Sequence, residues 1–114
     1  MDINNIKERL TNFSKERDWE QFHSPKNLSM ALSVEASELV EIFQWLTTEQ
    51  SYNLNDSEKQ HVKEEIGDIA IYLLRICTKL NINLEEAITE KIKINEQKYS
   101  LEKSKGSSKK YYNL

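Results

Sequence analysis

The sequence predicts an all-α protein, an antiparallel bundle of four principal helices. Three observations carry that expectation. Only two glycines and one proline, Gly67, Gly106 and Pro25, occur in 114 residues, too few turn-formers for an all-β or Rossmann-type chain. Apolar residues recur at spacings of three, four and seven, the period of a helix buried on one face. The length corresponds to one domain with a modest core, residues 1–99, followed by a basic tail, residues 100–114.

The first helix is expected from about Asp2, a plausible N-cap, to about Glu16, with Ile3, Ile6, Leu10 and Phe13 as its stripe. Arg17 to His23 breaks that period but carries Trp19 and Phe22, which suggests a connection that packs inward. Ser24 and Pro25 read as N-cap and first residue of a long second helix reaching about Leu46 or Thr48. The polar stretch Thr47 to Ser57 reads as a loop, with Asp56 or Ser57 capping the third helix, which runs to about Leu80. Its centre, Ile66 to Leu74, is apolar nearly all the way round and is expected to be buried on most sides. Asn81-Ile82-Asn83 is a turn into a fourth helix, Leu84 to about Tyr99, whose inward face is Leu84, Ala87, Ile88 and Ile92. Ser100 to Leu114, rich in Lys and Ser, reads on its own as a flexible basic tail.

Composition narrows the function. Hydrophobic residues make up 38% and charged residues 31%, a thin core for a monomer, so another subunit is expected to complete it. The net charge of −3 and pI near 5.5 argue against a partner such as a nucleic acid polymer. A small phosphorylated substrate stays open, its charge met locally. The single cysteine, Cys77, supports neither a disulfide nor a thiolate metal site and fits the cytoplasm. The sequence holds no signal-peptide pattern and no apolar run near 18 residues, so no membrane association is expected.

On the second helix Leu28, Leu32, Leu39, Ile42 and Leu46 define a core stripe, and Glu35 falls inside it. Glu38 sits on the adjacent edge, between Val34 and Ile42. The third helix repeats the pattern: Glu65 lies between Val62 and Ile69, and Asp68 one turn on, beside Tyr72. A buried carboxylate costs several kcal/mol unless compensated. Two readings stand at this point. The acids are solvated, or paired with Lys63 and Arg75, on an ordinary amphipathic surface. Alternatively the four side chains converge from two packed helices on a hard divalent cation, naturally magnesium. The absence of Glu-x-x-His pairs argues against a di-iron bundle, and His23 and His61 do not make a zinc motif.

Glu35-Ala36-Ser37-Glu38 followed by Glu65-Ile66-Gly67-Asp68 is similar to the paired Glu-x-x-Glu and Glu-x-x-Asp signature of the all-α nucleotide pyrophosphohydrolases. The flanking Arg17-Asp18-Trp19-Glu20-Gln21-Phe22-His23, Pro25, Asn27-Leu28 and Glu41-Ile42-Phe43-Gln44-Trp45 resemble the MazG-like branch that includes the dCTP pyrophosphatases. The tail Lys105-Gly106-Ser107-Ser108-Lys109-Lys110-Tyr111 looks like that branch's C-terminal motif, so the likeness covers nearly the whole chain.

The resemblance implies an enzyme of nucleotide-pool cleaning that hydrolyses a nucleoside triphosphate, dCTP or a related deoxynucleotide, to monophosphate and pyrophosphate. It implies magnesium, with manganese as a substitute, held by Glu35, Glu38, Glu65 and Asp68, with Glu38 or Glu35 positioning or deprotonating the attacking water. By pattern alone Lys91, Asn95 and Lys98 are a solvated ridge; the resemblance makes Lys91 and Asn95 phosphate contacts. It makes Lys109, Lys110 and Tyr111 a closure over the triphosphate. Trp19 and Trp45, core candidates by size, become aromatic neighbours of the base, and Tyr72 offers a hydroxyl to sugar or phosphate. His23 reads as structural. Leu10 stands where dCTP-preferring relatives carry a histidine, a departure that touches base selectivity. The implied assembly is a tetramer, a dimer of dimers. Alternatives are a narrower enzyme acting on dUTP or phosphoribosyl-ATP, and a non-catalytic helical module that binds nucleotide or a protein partner.

Overall fold

The computed structural model describes residues 1–106, the side chain of Ser104 excepted, and every regular element among them is helical. Residues Met1–Asn81 form one compact unit, and a second begins at Ile82.

In the first unit α1 spans Ile3–Glu16, and the Asp2 carboxylate accepts from the Asn5 amide at 3.0 Å, as a cap should. The helix closes with Asp18 in the left-handed region at φ 54°. The Trp19 amide donates to the Ser14 carbonyl at 2.8 Å and the Asp18 amide to the Lys15 carbonyl at 3.1 Å, the paired bonds of a Schellman ending. Such endings carry an apolar contact back onto the last turns. Here Trp19 meets Phe13 edge-on, ring centroids 5.6 Å apart. The inward-packing connection expected from Arg17 to His23 therefore has a cause, and it continues as a single 3-10 turn, Glu20–Phe22.

Helix α2, Pro25–Phe43, begins as its sequence predicts: Ser24 Oγ accepts from the Asn27 amide at 3.1 Å and Pro25 occupies the first turn. It stops at Phe43 rather than at Leu46 or Thr48. Thr47 caps a short helix instead, α3, Thr48–Ser51, through a reciprocal box with Gln50. The expected loop thus contains a turn of helix, and Trp45 lies outside α2, 88% exposed.

Helix α4, Asp56–Leu80, is capped by Asn55 and not by Asp56 or Ser57; Asn55 and Glu58 exchange side-chain and backbone hydrogen bonds at 2.8 and 3.0 Å. It ends at Asn81, left-handed at φ 53°. Both α1 and α2 pack on α4. Ile42 near the end of α2 shares a depression with Ser57 and His61 at the start of α4, while Glu35, earlier on α2, meets Glu65, later on α4. The two helices are therefore antiparallel. Leu28, Leu74 and Cys77 form the fully buried apolar core. Among the described residues the expected burial of the α4 centre on most sides is not met: Ile66, Ile71 and Leu73 are exposed, because α1 and α2 cannot cover a helix that is apolar nearly all round.

In the second unit α5 spans Leu84–Lys98, with Asn83 accepting from the Glu86 amide at 2.9 Å, and α6 spans Leu101–Ser104. Among the described residues no helix is long and apolar enough to cross a membrane.

Candidate active site

The long contact between α2 and α4 positions the acids. Each apolar stripe faces the other helix, so a glutamate inside either stripe is carried into the interface. Glu35 and Glu38 from α2 and Glu65 from α4 place one carboxylate oxygen each within 4.8 Å of one another. Glu65 is buried at 6% exposure, and Glu35 and Glu38 are half-buried. Neither Lys63 nor Arg75 neutralises them among the described ion pairs. The one counter-group is His61, whose Nε2 lies 3.5 Å from Glu65 Oε1.

Crowding of like charges has a measurable signature. The Glu35 carboxyl is raised to about 7, first because the Glu65 carboxylate lies close enough to share its proton, then by burial and by Glu38 and Asp68. Glu35 Oε2 and Glu65 Oε2 are buried without a hydrogen-bond partner. Orphaned buried oxygens in native structures call for an explanation. A hard divalent cation fits this all-oxygen set, since it takes oxygen ligands and would compensate the crowded carboxylates.

Asp68 is exposed and its oxygens are not among the three that converge. It opens instead on a cavity of about 300 Å³ next to the cluster, shared with Leu10, Phe13, Trp19, His23, Ile71, Tyr72 and Arg75. The Tyr72 hydroxyl is pushed up by burial and then by the negative charges of Glu35 and Asp68, so it remains a donor at neutral pH. Tyr72 thus links cavity and acids. Of the two tryptophans expected beside the base, Trp19 lines the cavity and Trp45 does not. Lys91 and Asn95 are exposed on α5 in the second unit, as is Lys98, and Lys109, Lys110 and Tyr111 lie outside the described residues.

Sequence reasoning missed a second polar cluster. Arg75 on α4, 3% exposed, donates to Glu20 Oε1 at 2.6 Å and to Thr11 Oγ1 at 3.2 Å, and Lys79 pairs with the other Glu20 oxygen. Glu20 is held below the usual carboxylate range, chiefly by Lys79 and then by Arg75 against the opposing effect of burial. The available signal was Arg75 itself, a cation inside an apolar run.

A model of the MazG-like family matches residues 30–114. The chain belongs to the MazG-like family. Among curated proteins, this MazG-like chain is 36% identical to dCTP pyrophosphatase 1 of Homo sapiens over 98% of its length and 67% of the relative's. It is 38% identical to the Mus musculus protein of the same name, with the same coverage. Among solved structures, a pyrophosphatase from Archaeoglobus fulgidus superposes with a TM-score of 0.83 at 38% identity, covering 88% of this chain and 94% of that one. The MazG-like chain is accordingly an enzyme, a nucleotide pyrophosphohydrolase.

Proposed function

We propose that the protein is a magnesium-dependent pyrophosphohydrolase of deoxynucleoside triphosphates, with dCTP or a related pyrimidine deoxynucleotide as substrate, and that it serves nucleotide-pool cleaning in the cytoplasm. The observation that carries the reading is the convergence of Glu35, Glu38 and Glu65 with two orphaned oxygens beside a largely apolar cavity. Its substrate side draws on the likeness to the dCTP pyrophosphatases.

Glu35, Glu38 and Glu65 would hold the ion, with Asp68 completing the set from the next turn of α4. When bound, magnesium supplies Lewis acidity and neutralises phosphate charge, and manganese has the same preference for oxygen. The chain's own residues do the rest. Glu38, a half-buried member of the cluster, would position the attacking water and take its proton, with Glu35 as the nearby carboxyl that can share it. Tyr72 donates to sugar or phosphate. Trp19 and Phe13 form an aromatic wall against the base, where stacking contributes about 1–3 kcal/mol and tolerates more than one base. Trp45 and the exposed apolar residues of α4 are surfaces for other subunits in a tetramer built as a dimer of dimers. The family likeness assigns phosphate contacts to Lys91 and Asn95, and Lys109, Lys110 and Tyr111, assigned by it to the triphosphate, lie outside the described residues.

Purified protein with millimolar magnesium and a panel of canonical and base-modified deoxynucleoside triphosphates, followed for both products, is the test. Equal amounts of monophosphate and pyrophosphate are expected, fastest with a pyrimidine. Release of inorganic phosphate, or no turnover of any member, overturns the reading.

A further inference from the structure

The cluster that the acids leave unused lies where α1, the 3-10 turn and α4 meet, and it includes His23. Arg75 Nη2 stands 3.4 Å from His23 Nδ1, and Ser14 Oγ 3.5 Å from the same nitrogen. A guanidinium has donors only, so the ring nitrogen it faces must offer a lone pair. The proton of the neutral imidazole is then on Nε2. Neutrality follows from the surroundings: burial, then the Arg75 charge, hold His23 below its ordinary pKa, against a smaller opposing pull from Glu20. Arg75 is itself fixed by Glu20 and Thr11, so the ring has little freedom to turn over.

The other half of the ring is unused. Nε2 has no hydrogen-bond partner among the described residues, and it is not among their buried orphan atoms. His23 lines the cavity together with Leu10, Phe13, Trp19 and Ile71 on the apolar side, Ser14 and Arg75 beside its Nδ1, and Asp68 and Tyr72 toward the acids. A polar group held rigidly among mainly apolar walls contributes to orientation and selectivity, because a ligand that leaves it unmatched loses the bond and strands a donor; Arg75, also in the lining, is already engaged by Glu20 and Thr11.

We infer that His23 is a specificity-determining residue: held by Arg75, it presents Nε2–H as a fixed donor to a carbonyl oxygen or ring-nitrogen acceptor of the nucleobase. The inference rests on the cavity receiving the base, as proposed above. It assigns His23 a ligand contact where the sequence suggested only a structural role, and it makes Arg75 and Glu20 positioning residues that act through the ring.

Two measurements test it. Nitrogen-resolved NMR of His23 at neutral pH should show the Nε2–H tautomer; an Nδ1–H ring or an imidazolium overturns the inference without any reference to turnover. The kinetic arm uses isosteres. His23→Asn keeps an acceptor toward Arg75 but lacks the outer donor, whereas His23→Gln places an amide N–H where Nε2–H was. With melting temperatures unchanged, His23→Asn should raise KM for deoxynucleoside triphosphates about tenfold with kcat nearly constant, and His23→Gln should recover most of it. Neither change should alter KM for a deoxyribose triphosphate that lacks a base. Wild-type KM in His23→Asn, or the same rise for the baseless probe, overturns the inference while the proposed activity stands; absence of turnover in the wild type overturns both.

Discussion

Two clusters of charge lie in the first unit, and they solve opposite problems. Around Arg75 the buried cation is matched: Glu20 supplies a carboxylate, Thr11 an acceptor, and Lys79 balances the second Glu20 oxygen. Around Glu35 and Glu65 nothing comparable is supplied by the described residues, and two oxygens are left without partners. The first arrangement is charge-compensated as folded, although Arg75 Nε is itself buried without a hydrogen-bond partner, and it holds the connection between α1 and α2 against α4. The second is incomplete, and an incomplete set of buried oxygens is what a site that must accept and release charge requires. Burial of charge is thus no guide to function on its own; whether an opposite charge compensates it is.

The comparison can be broken most directly by kinetics. Glu38→Ala should lower kcat by about 10²–10⁴-fold with the helical circular dichroism spectrum unchanged; near-wild-type rates would remove the acids from the chemistry. Next in size is stability. Arg75→Met should destabilise toward the lower end of about 3–5 kcal/mol, since Glu20 keeps partial contact with water, whereas Glu35→Gln should leave the metal-free protein as stable or more so. Equal losses in urea titrations of the two variants would erase the distinction.

A smaller effect separates the clusters by pH. Because the folded protein binds the Glu35 proton more tightly than the unfolded chain does, this group's contribution is full below about 4.5 and is lost as pH rises through about 7. Metal-free protein should therefore melt progressively lower across that window, and magnesium should restore the loss only at its upper end. A melting temperature that rises from pH 5 to 8 without metal, or Glu35→Gln failing to flatten the trend, would contradict the assignment. The smallest effect concerns Gly67, whose missing Cβ would meet nothing within 4 Å. Gly67→Ala should stabilise α4 by about 0.5–1 kcal/mol.

The acid cluster was legible because a helix has a fixed period: a glutamate inside a leucine stripe goes where the leucines go. Asp68 was read with the others from its spacing of three. Glu35 and Glu38 share that spacing and both reach the three-oxygen group, so spacing alone does not tell that Asp68 lines the neighbouring cavity. The helix starts at Asp2 and Ser24 were read from their caps, and the same rule applied to Thr47 with Gln50 and Asn55 with Glu58 yields α3 and the start of α4. Those boxes were present in the sequence and were outweighed by the polar composition around them. Arg75 was legible only as a cation inside an apolar run, and the cluster around it was not legible. Its members stand 55 and 59 residues from Glu20 along the chain, and no local spacing announces a contact that only the packed helices create.

Asp18 leaves one consequence. The whole placement of the Trp19 indole depends on a single backbone torsion held in a region that most side chains avoid, propped by Gln21, which donates to both the carbonyl and the carboxylate of Asp18 at 3.0 Å. Asparagine or glycine can take the same torsion, and a β-branched residue cannot without strain. The shape of the cavity beside the acids can therefore be retuned from a solvent-exposed residue that does not line it.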